Sequence, residues 1–330
     1  MRFSYYPIFM LFLLTHESYA AIKNKSMIYV AVDKSKLIAE LRTWTEDMSQ
    51  SEVLSRFPIA IGKEKGDKEK AGDNKTPEGI YFAQSHIDSG QIPAEKYGPK
   101  AVPLDFPNPF DLFQKKTGYG IWLHGAGNDE RIAEANVTEG CVAFYNKDIK
   151  SLVNWLMPYQ AAVVISRDLS GVNSPSEVSS LKSRFDTWSH AWAQKDIHSY
   201  MEMYSQNFAI SGRDLAEFKA YKSNLFQRYT EMKVKLTELR ILTHEKYAIT
   251  AMNQSFKGND TYASDGRKIL YWVRDNDGQW RILREVFSEK RFEPIVWTPR
   301  DLKQISSDLT KGAGNLGEQL GPKRAATKNL

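Results

Sequence analysis

The hydrophobic periodicity of this chain changes once along its length, and that change restricts the fold more than any other feature. Up to about Arg167 the apolar residues come in short or alternating runs. These are Met27–Val32, Leu37–Leu41, Val53–Ile61, Ile80–Ala83, Gly120–Leu123 and Ala161–Ile165, separated by Gly, Pro, Asp and Asn. Such runs predict strands. One helix is expected over Asp148–Met157, with Asn146 or Asp148 as its cap. Arg167–Ser176 is turn-rich. Beyond it, Val178, Leu181, Phe185, Trp188 and Trp192 recur at steps of 3, 4, 3 and 4, a single helical stripe. Helices are also expected over Ile197–Tyr204 and Asp214–Tyr229. The period then becomes two, through Lys233–Leu239, Tyr247–Phe256, Lys268–Arg274 and Trp280–Phe287, with Asp275-Asn276-Asp277-Gly278 as a hairpin turn. The expectation is a mainly β domain over 21–167, a linker over 168–176 and an α+β domain over 177–295. A polar, Gly- and Lys-rich stretch over 296–330 reads as a loosely ordered tail with Lys323-Arg324 solvated.

Length and composition agree with two modest cores: 330 residues, 42% of them hydrophobic. A net charge of +5, spread along the chain, makes no case for nucleic acid, though it suits an anionic envelope polymer. The first residues look like an export signal. Arg2 precedes the apolar run Tyr6–Leu14, and Ser18-Tyr19-Ala20 offers a small-x-small cleavage site before Ala21. That run is too short to span a bilayer, and no other segment approaches that length. A leader over residues 1–20 and a periplasmic location are therefore expected, with no stable membrane span.

Cys141 is the only cysteine. It can form no intramolecular disulfide, and an exported chain would keep it unpaired in an oxidising compartment, where such thiols are usually avoided. It follows Thr138-Glu139-Gly140 and lies 17 residues beyond His124-Gly125. A thiol attacks a carbonyl as thiolate and needs an imidazole to take its proton. The Gly125 carbonyl is placed to accept from the second ring nitrogen of His124 and fix its tautomer. Backbone N–H groups at Gly140 and Cys141 are candidate oxyanion donors, because glycine lets the backbone approach closely. On these residues alone, an inert buried thiol and a satisfied core histidine are equally good readings.

The order of motifs adds to this. Phe57–Lys63, then Thr76-Pro77-Glu78-Gly79-Ile80-Tyr81, then Leu104–Pro109 and Lys116–Gly125, followed by Thr138–Cys141, resembles the YkuD-type L,D-transpeptidase catalytic domain over about residues 27–167, and within it the branch that includes YafK. The second half, with Trp188, Ala191-Trp192, Asp196, Tyr200 and Tyr204-Ser205, is similar to the cone-shaped nuclear transport factor 2 fold. The pairing of the two resembles the cell-shape L,D-carboxypeptidases of helical ε-proteobacteria. The resemblance implies a β-sandwich with one or two helices, followed by an α+β cone.

It also implies chemistry. Cys141 would be the nucleophile and His124 its base, with Thr76, Pro77, Gly79, Trp122, Thr138 and Glu139 on the substrate side. The substrate would be a peptidoglycan stem peptide, attacked at the L-centre of meso-diaminopimelate with release of D-alanine. Neither cofactor nor metal is implied. Many relatives carry His before the Gly-Cys and Arg or Asn two residues after the Cys, where this chain has Glu139 and Ala143. Water as acceptor would make a carboxypeptidase, and an amine would make a cross-linking or protein-attaching transpeptidase. A sortase-like enzyme would want a longer His-to-Cys interval and an arginine soon after the cysteine, and a non-catalytic wall-binding scaffold would need neither thiol nor imidazole. For Trp188, Trp192, Tyr200 and Tyr204 core packing is expected, with a glycan- or peptide-gripping pocket as the alternative. Lys63–Lys70, with seven charges in eight residues, reads as a solvated loop, or alternatively as a mobile rim over the site.

Overall fold

The computed structural model describes residues 28–43 and 51–293. The expected leader over 1–20 and tail over 296–330 lie outside the described residues. The first half contains β1 (Ile28–Asp33), β2 (Ile38–Thr43), β3 (Val53–Gly62), β4 (Gly79–Phe82), β5 (Ile87–Asp88), α1 (Ala94–Tyr97), β6 (Lys100–Pro103), α2 (Pro109–Phe113), β7 (Trp122–His124), β8 (Asn136–Thr138), β9 (Val142–Phe144), α3 (Asn146–Leu152) and β10 (Ala162–Ser166). The second half contains α4 (Pro175–Ala193), α5 (Ile197–Glu202), α6 (Leu215–Arg228), β11 (Met232–Thr243), β12 (Ala248–Gly258), β13 (Tyr262–Arg274) and β14 (Trp280–Ser288). Mostly β followed by α+β is the class expected from the periodicity.

Hydrogen bonding runs continuously through the first half in the order β4-β10-β1-β2-β3-β9-β7-β6-β5, with β8 added on β3. The expected sandwich is thus realised as one curled sheet. Its centre explains an oddity of sequence: every residue of β1 is buried, apolar or not. Val30 and Val32 face the core of the first half, together with Tyr81, Val163 and Ile165. Their alternates Tyr29 and Ala31 face the other way and join Ile80, Phe82, Ala162 and Val164 in a second core built largely from the C-terminal half. Successive side chains on a strand point to opposite faces, so a strand buried on both is apolar along nearly its whole length, here Ile28–Val32. Among the described residues, no helix is long and apolar enough to cross a membrane.

The second half forms where the sequence pattern places it. Ser174 caps α4 by accepting from the Glu177 N–H, with Pro175 at the first helical position. The predicted stripe of Val178, Leu181, Phe185, Trp188 and Trp192 is buried. Asp214 and Glu217 form a reciprocal capping box at the start of α6. The four strands pair as a β11-β12-β13-β14 meander, and Gly278 turns β13 into β14 with φ of 75°. Trp188, Tyr200 and Tyr204 are core residues, as expected. The Trp188 indole donates to Tyr204 Oη at 3.0 Å and Tyr204 donates to Tyr200 at 2.6 Å. Lys268 pairs with Glu285 at 2.6 Å beneath them. Trp192 is also buried, and it lines a small cavity of about 120 Å3 with Tyr221, Lys222, Phe256 and Tyr262.

Two local readings need correction. Tyr145, not Asn146 or Asp148, is the N-cap of α3, and it makes no side-chain cap. Asn146 instead grips the loop after β7, accepting from Ala126 N at 3.0 Å and donating to Ala126 O at 2.8 Å. The helix also stops at Leu152, followed by a 3-10 turn over Val153–Trp155, so it is shorter than its apolar pattern suggests.

The halves are joined by a buried polar clasp. Tyr247 on the turn leading into β12 accepts from Ile80 N at 2.6 Å and from Asn108 Nδ2 at 2.7 Å, and donates to Ile80 O at 2.9 Å. Its ring stacks on Phe110 with centroids 4.3 Å apart. Removing the hydroxyl strands these donors in a dry interface. Tyr247→Phe should therefore lower the unfolding free energy by about 1–3 kcal/mol, measured by urea denaturation of the full chain.

Candidate active site

His124 ends β7 and Cys141 immediately precedes β9. These strands run parallel, with Leu123 opposite Val142 and His124 opposite Ala143. Cys141 therefore lies two residues before the register partner of His124. Both side chains line one cavity of about 540 Å3 in the first half. The strand ends expected to bring base and thiol together are neighbours in the sheet.

The imidazole is fixed from one side. His124 Nδ1 lies 2.5 Å from Gly125 O. A carbonyl can only accept, so Nδ1 carries the proton and Nε2 is left as the acceptor. The Tyr97 ring meets the imidazole edge-on at 5.2 Å and also packs on Trp122 at 4.9 Å. Gly125 must be glycine, since a Cβ there would meet Asn146 Oδ1 at 2.3 Å and Pro99 at 2.8 Å.

The thiol is held from the other side. Cys141 Sγ is 3.4 Å from Gly120 O, to which it donates. Thr138 Oγ1 donates to Cys141 O at 2.7 Å and accepts from Gly140 N at 3.1 Å, closing a tight turn around Cys141. Gly140 has φ of 128°, and a Cβ would approach Lys75 O to 2.7 Å. The turn is thus specified by its residues on both counts.

Burial dominates the electrostatics. It lowers the His124 imidazole to about 4, helped by Lys96 and Arg131 and opposed by the Gly125 carbonyl. It raises the Cys141 thiol to about 11, with Glu139 adding to the rise, while the Trp122 backbone N–H and Lys96 oppose it. Between these values both groups are neutral. The resting pair is thiol and imidazole.

The structure revises the substrate-side assignments. Thr76 is buried away from the cavity: its hydroxyl accepts from Gly62 N at 2.9 Å and its carbonyl from Lys34 Nζ at 2.7 Å. Pro77 is buried as well. A Cβ on Gly79 would meet the Tyr247 and Tyr81 hydroxyls at 2.9 Å. The Thr76–Gly79 turn leads into β4, whose outer face the second half covers, so it is scaffold and interface rather than substrate surface. Thr138 lines the cavity but acts as the clamp of the turn. Trp122 contributes its backbone N–H beside the sulfur, while its indole packs on Tyr97. Of the two expected oxyanion donors, the Gly140 N–H is engaged by Thr138 Oγ1, and the Cys141 N–H remains a candidate. Glu139 does line the cavity, with Lys96 Nζ 3.6 Å from its carboxylate.

Other lining residues escaped sequence reasoning. Lys96 and Tyr97 sit on the four-residue α1, Tyr119 lies in a loop, and Arg131 sits in a 3-10 turn over Asp129–Glu134. Lys63 and Lys68 come from the charged loop. That loop is not simply solvated: Lys68 is buried and paired with Asp73 at 2.7 Å. The sequence hinted at Lys63 and Lys68 through the alternative reading of their loop as a rim, and at Tyr119, 88% exposed with a glycine on each side, as an aromatic with no core to enter.

Comparison with known proteins agrees with this geometry. The L,D-transpeptidase catalytic domain (YkuD) matches residues 28–165, and the Cds6 C-terminal NTF2-like domain matches residues 180–286. The chain carries a YkuD-type catalytic domain followed by an NTF2-like domain. No curated protein matches the chain. Among solved structures, Bd1075 of Bdellovibrio bacteriovorus is 29% identical, with a TM-score of 0.68 over 79% of this chain and 92% of its own. The helical cell shape determining protein Pgp2 of Campylobacter jejuni is 25% identical, with a TM-score of 0.65 over 80% of this chain and 96% of its own. Neither domain alone supplies such coverage, so the likeness extends over both.

Two outcomes check the site. Alkylation of Cys141 by iodoacetamide should climb steadily from pH 7 to pH 10, because thiolate forms only toward about 11. A rate plateau below pH 8 would instead denote a thiolate–imidazolium pair. Thr138→Val should lower kcat by roughly 10–100-fold by releasing the nucleophile's turn, and Thr138→Ser should restore most of it.

Proposed function

We propose that this chain is a peptidoglycan-modifying cysteine acyl-transferase that trims stem tetrapeptides, with water as the preferred acceptor, in the periplasm. One observation carries the reading. A single cavity collects the only cysteine of the chain, a tautomer-fixed imidazole and the cations Lys63, Lys68, Lys96 and Arg131, against one rim carboxylate, Glu139. A stem peptide ending in D-alanine brings a terminal carboxylate to the scissile bond, and these cations suit it. They also offer a substitute for the basic or amide side chain that Ala143 does not provide.

The reaction follows from the resting state. His124 Nε2 takes the thiol proton as Cys141 Sγ bonds to the carbonyl carbon at the L-centre of meso-diaminopimelate. The oxyanion is met by the Cys141 N–H. Collapse breaks the C–N bond, and His124 returns the proton to the departing D-alanine amine, leaving a thioester. Water then attacks, gives a proton to His124, and the thioester breaks to tripeptide acid and free thiol. The neutral pair suits this cycle, since the imidazole is a base throughout the neutral range.

The NTF2-like domain and the likeness to a helical cell shape determining protein favour trimming over cross-linking. In this proposal the small cavity beside Trp192 receives a glycan or peptide portion of the wall.

Incubation with disaccharide-tetrapeptide, followed by mass spectrometry, should yield disaccharide-tripeptide and D-alanine. A dimer linked through two diaminopimelates would assign an amine acceptor instead. Cys141→Ala should lower turnover by roughly 1,000-fold or more. Equal turnover by Cys141→Ala and wild type would sink the catalytic reading.

A further inference from the structure

The charged loop between β3 and β4 is folded from within and anchored from below. Asp73 accepts from Glu69 N at 2.8 Å, Lys70 N at 3.0 Å and Lys75 N at 3.2 Å, besides Lys68 Nζ. Lys34 donates upward to Gly66 O at 2.6 Å, Thr76 O at 2.7 Å and Glu78 Oε1 at 2.9 Å. Asp67 accepts from Glu78 N at 2.8 Å and from Lys116 Nζ at 2.6 Å, and Lys116 also pairs with Asp111 at 3.0 Å.

The last cation comes from the other domain. Lys246, in the turn between β11 and β12, reaches Asp67 Oδ2 at 2.8 Å and Glu78 Oε2 at 2.9 Å. The turn is itself fixed, since Lys246 N donates to His244 Nδ1 at 3.2 Å and His244 Nε2 contacts Ile165 O at 3.2 Å. The cluster therefore balances Lys34, Lys116 and Lys246 against Asp67, Glu78 and Asp111. Burial opposes ionisation of Asp67 and Glu78, yet the lysine hydrogen bonds outweigh it and hold both below the usual carboxylate range. Without Lys246 the half-buried cluster carries one uncompensated negative charge.

The far side of the same loop is a wall of the catalytic cavity. Lys63, Lys68, Ala71, Gly72 and Asn74 line it. Lys75 O backs Gly140, and Thr117 N donates to Glu69 O at 3.0 Å, three residues before the Gly120 carbonyl that accepts the thiol hydrogen bond. We propose that Lys246 is a positioning residue for Cys141 chemistry: through Asp67 and Glu78, the NTF2-like domain sets the cavity wall formed by the β3–β4 loop. The catalytic pocket is then complete only with the second domain docked. The turnover arm of the test below rests on the proposed peptidase reading; the other two arms do not.

The test compares full-length wild type, Lys246→Met and Lys246→Arg, with Lys182→Met as control, whose partner Asp186 is on the exposed face of α4. In Lys246→Met, hydrogen exchange over residues 63–75 should accelerate by about 10-fold or more. Cys141 alkylation should rise by at least about 3-fold, and KM for disaccharide-tetrapeptide by about 5-fold with kcat little changed. Lys246→Arg should recover most of each change, and Lys182→Met should match wild type. Exchange and alkylation in Lys246→Met equal to wild type would overturn the proposal. If wild type itself turns over no tetrapeptide, the peptidase reading fails, while exchange and alkylation still decide the role of Lys246. Should Lys246→Met not fold, Lys246→Gln is judged by the same criteria.

Discussion

Burial of the central strands on both faces is the constraint on which the molecule depends. β1, β10 and β4 send alternate side chains into two different cores, one of their own domain and one shared with the second. Each Val, Ile or Phe side chain so covered stabilises by about 1.5–3 kcal/mol relative to exposure. Exposing the outward set of Tyr29, Ala31, Ile80, Phe82, Ala162 and Val164 would leave a contiguous apolar patch of the kind soluble monomers avoid. The two domains are therefore halves of one packing problem. The Tyr247 hydroxyl that crosses the interface is paired with Ile80 and Asn108, as dry surroundings require.

That docking has a chemical consequence. The sheet that the second domain braces is also the sheet whose β7 and β9 carry the catalytic ends. His124 and Cys141 are placed by strand pairing, a rigid device, rather than by a long loop. Burial keeps the pair neutral at rest, and the groups that modulate it are mostly backbone: the Gly125 carbonyl, the Gly120 carbonyl and the Trp122 N–H. Side-chain charge enters from the rim, through Lys96, Arg131 and Glu139.

Local pattern made much of this legible. The stripe of Val178 to Trp192, the Asp214 capping box and the Asp275–Gly278 turn depend on residues within a few positions, and each formed where the pattern placed it. The cysteine and histidine were legible for a different reason: their residue types and order carry the chemistry. The Thr76–Gly79 turn was misassigned because a well-marked turn says nothing about which face it presents. Its neighbours Lys34, Tyr247 and Lys246 are distant in sequence. The charged loop follows its solvated reading at Lys63, Glu64, Lys65, Glu69 and Lys70, which are exposed, and departs from it at Asp67 and Lys68, which are paired with Lys116 and Lys246 and with Asp73.

The sequence by itself determined the two fold classes and the helices and meander of the second half, and it singled out Cys141 and His124 as candidates, because periodicity, capping and residue chemistry are local properties. Only the tertiary structure decided that the outer face of β1, β4 and β10 is covered by the second domain, that Thr76, Pro77 and Gly79 are scaffold, and that Lys246 closes a charge cluster beneath the catalytic cavity. Those outcomes rest on contacts between residues more than 100 positions apart, such as Lys246 with Asp67 and Tyr247 with Ile80. Burial and charge neutralisation across such distances are properties of the packed chain, and no window of sequence contains both partners.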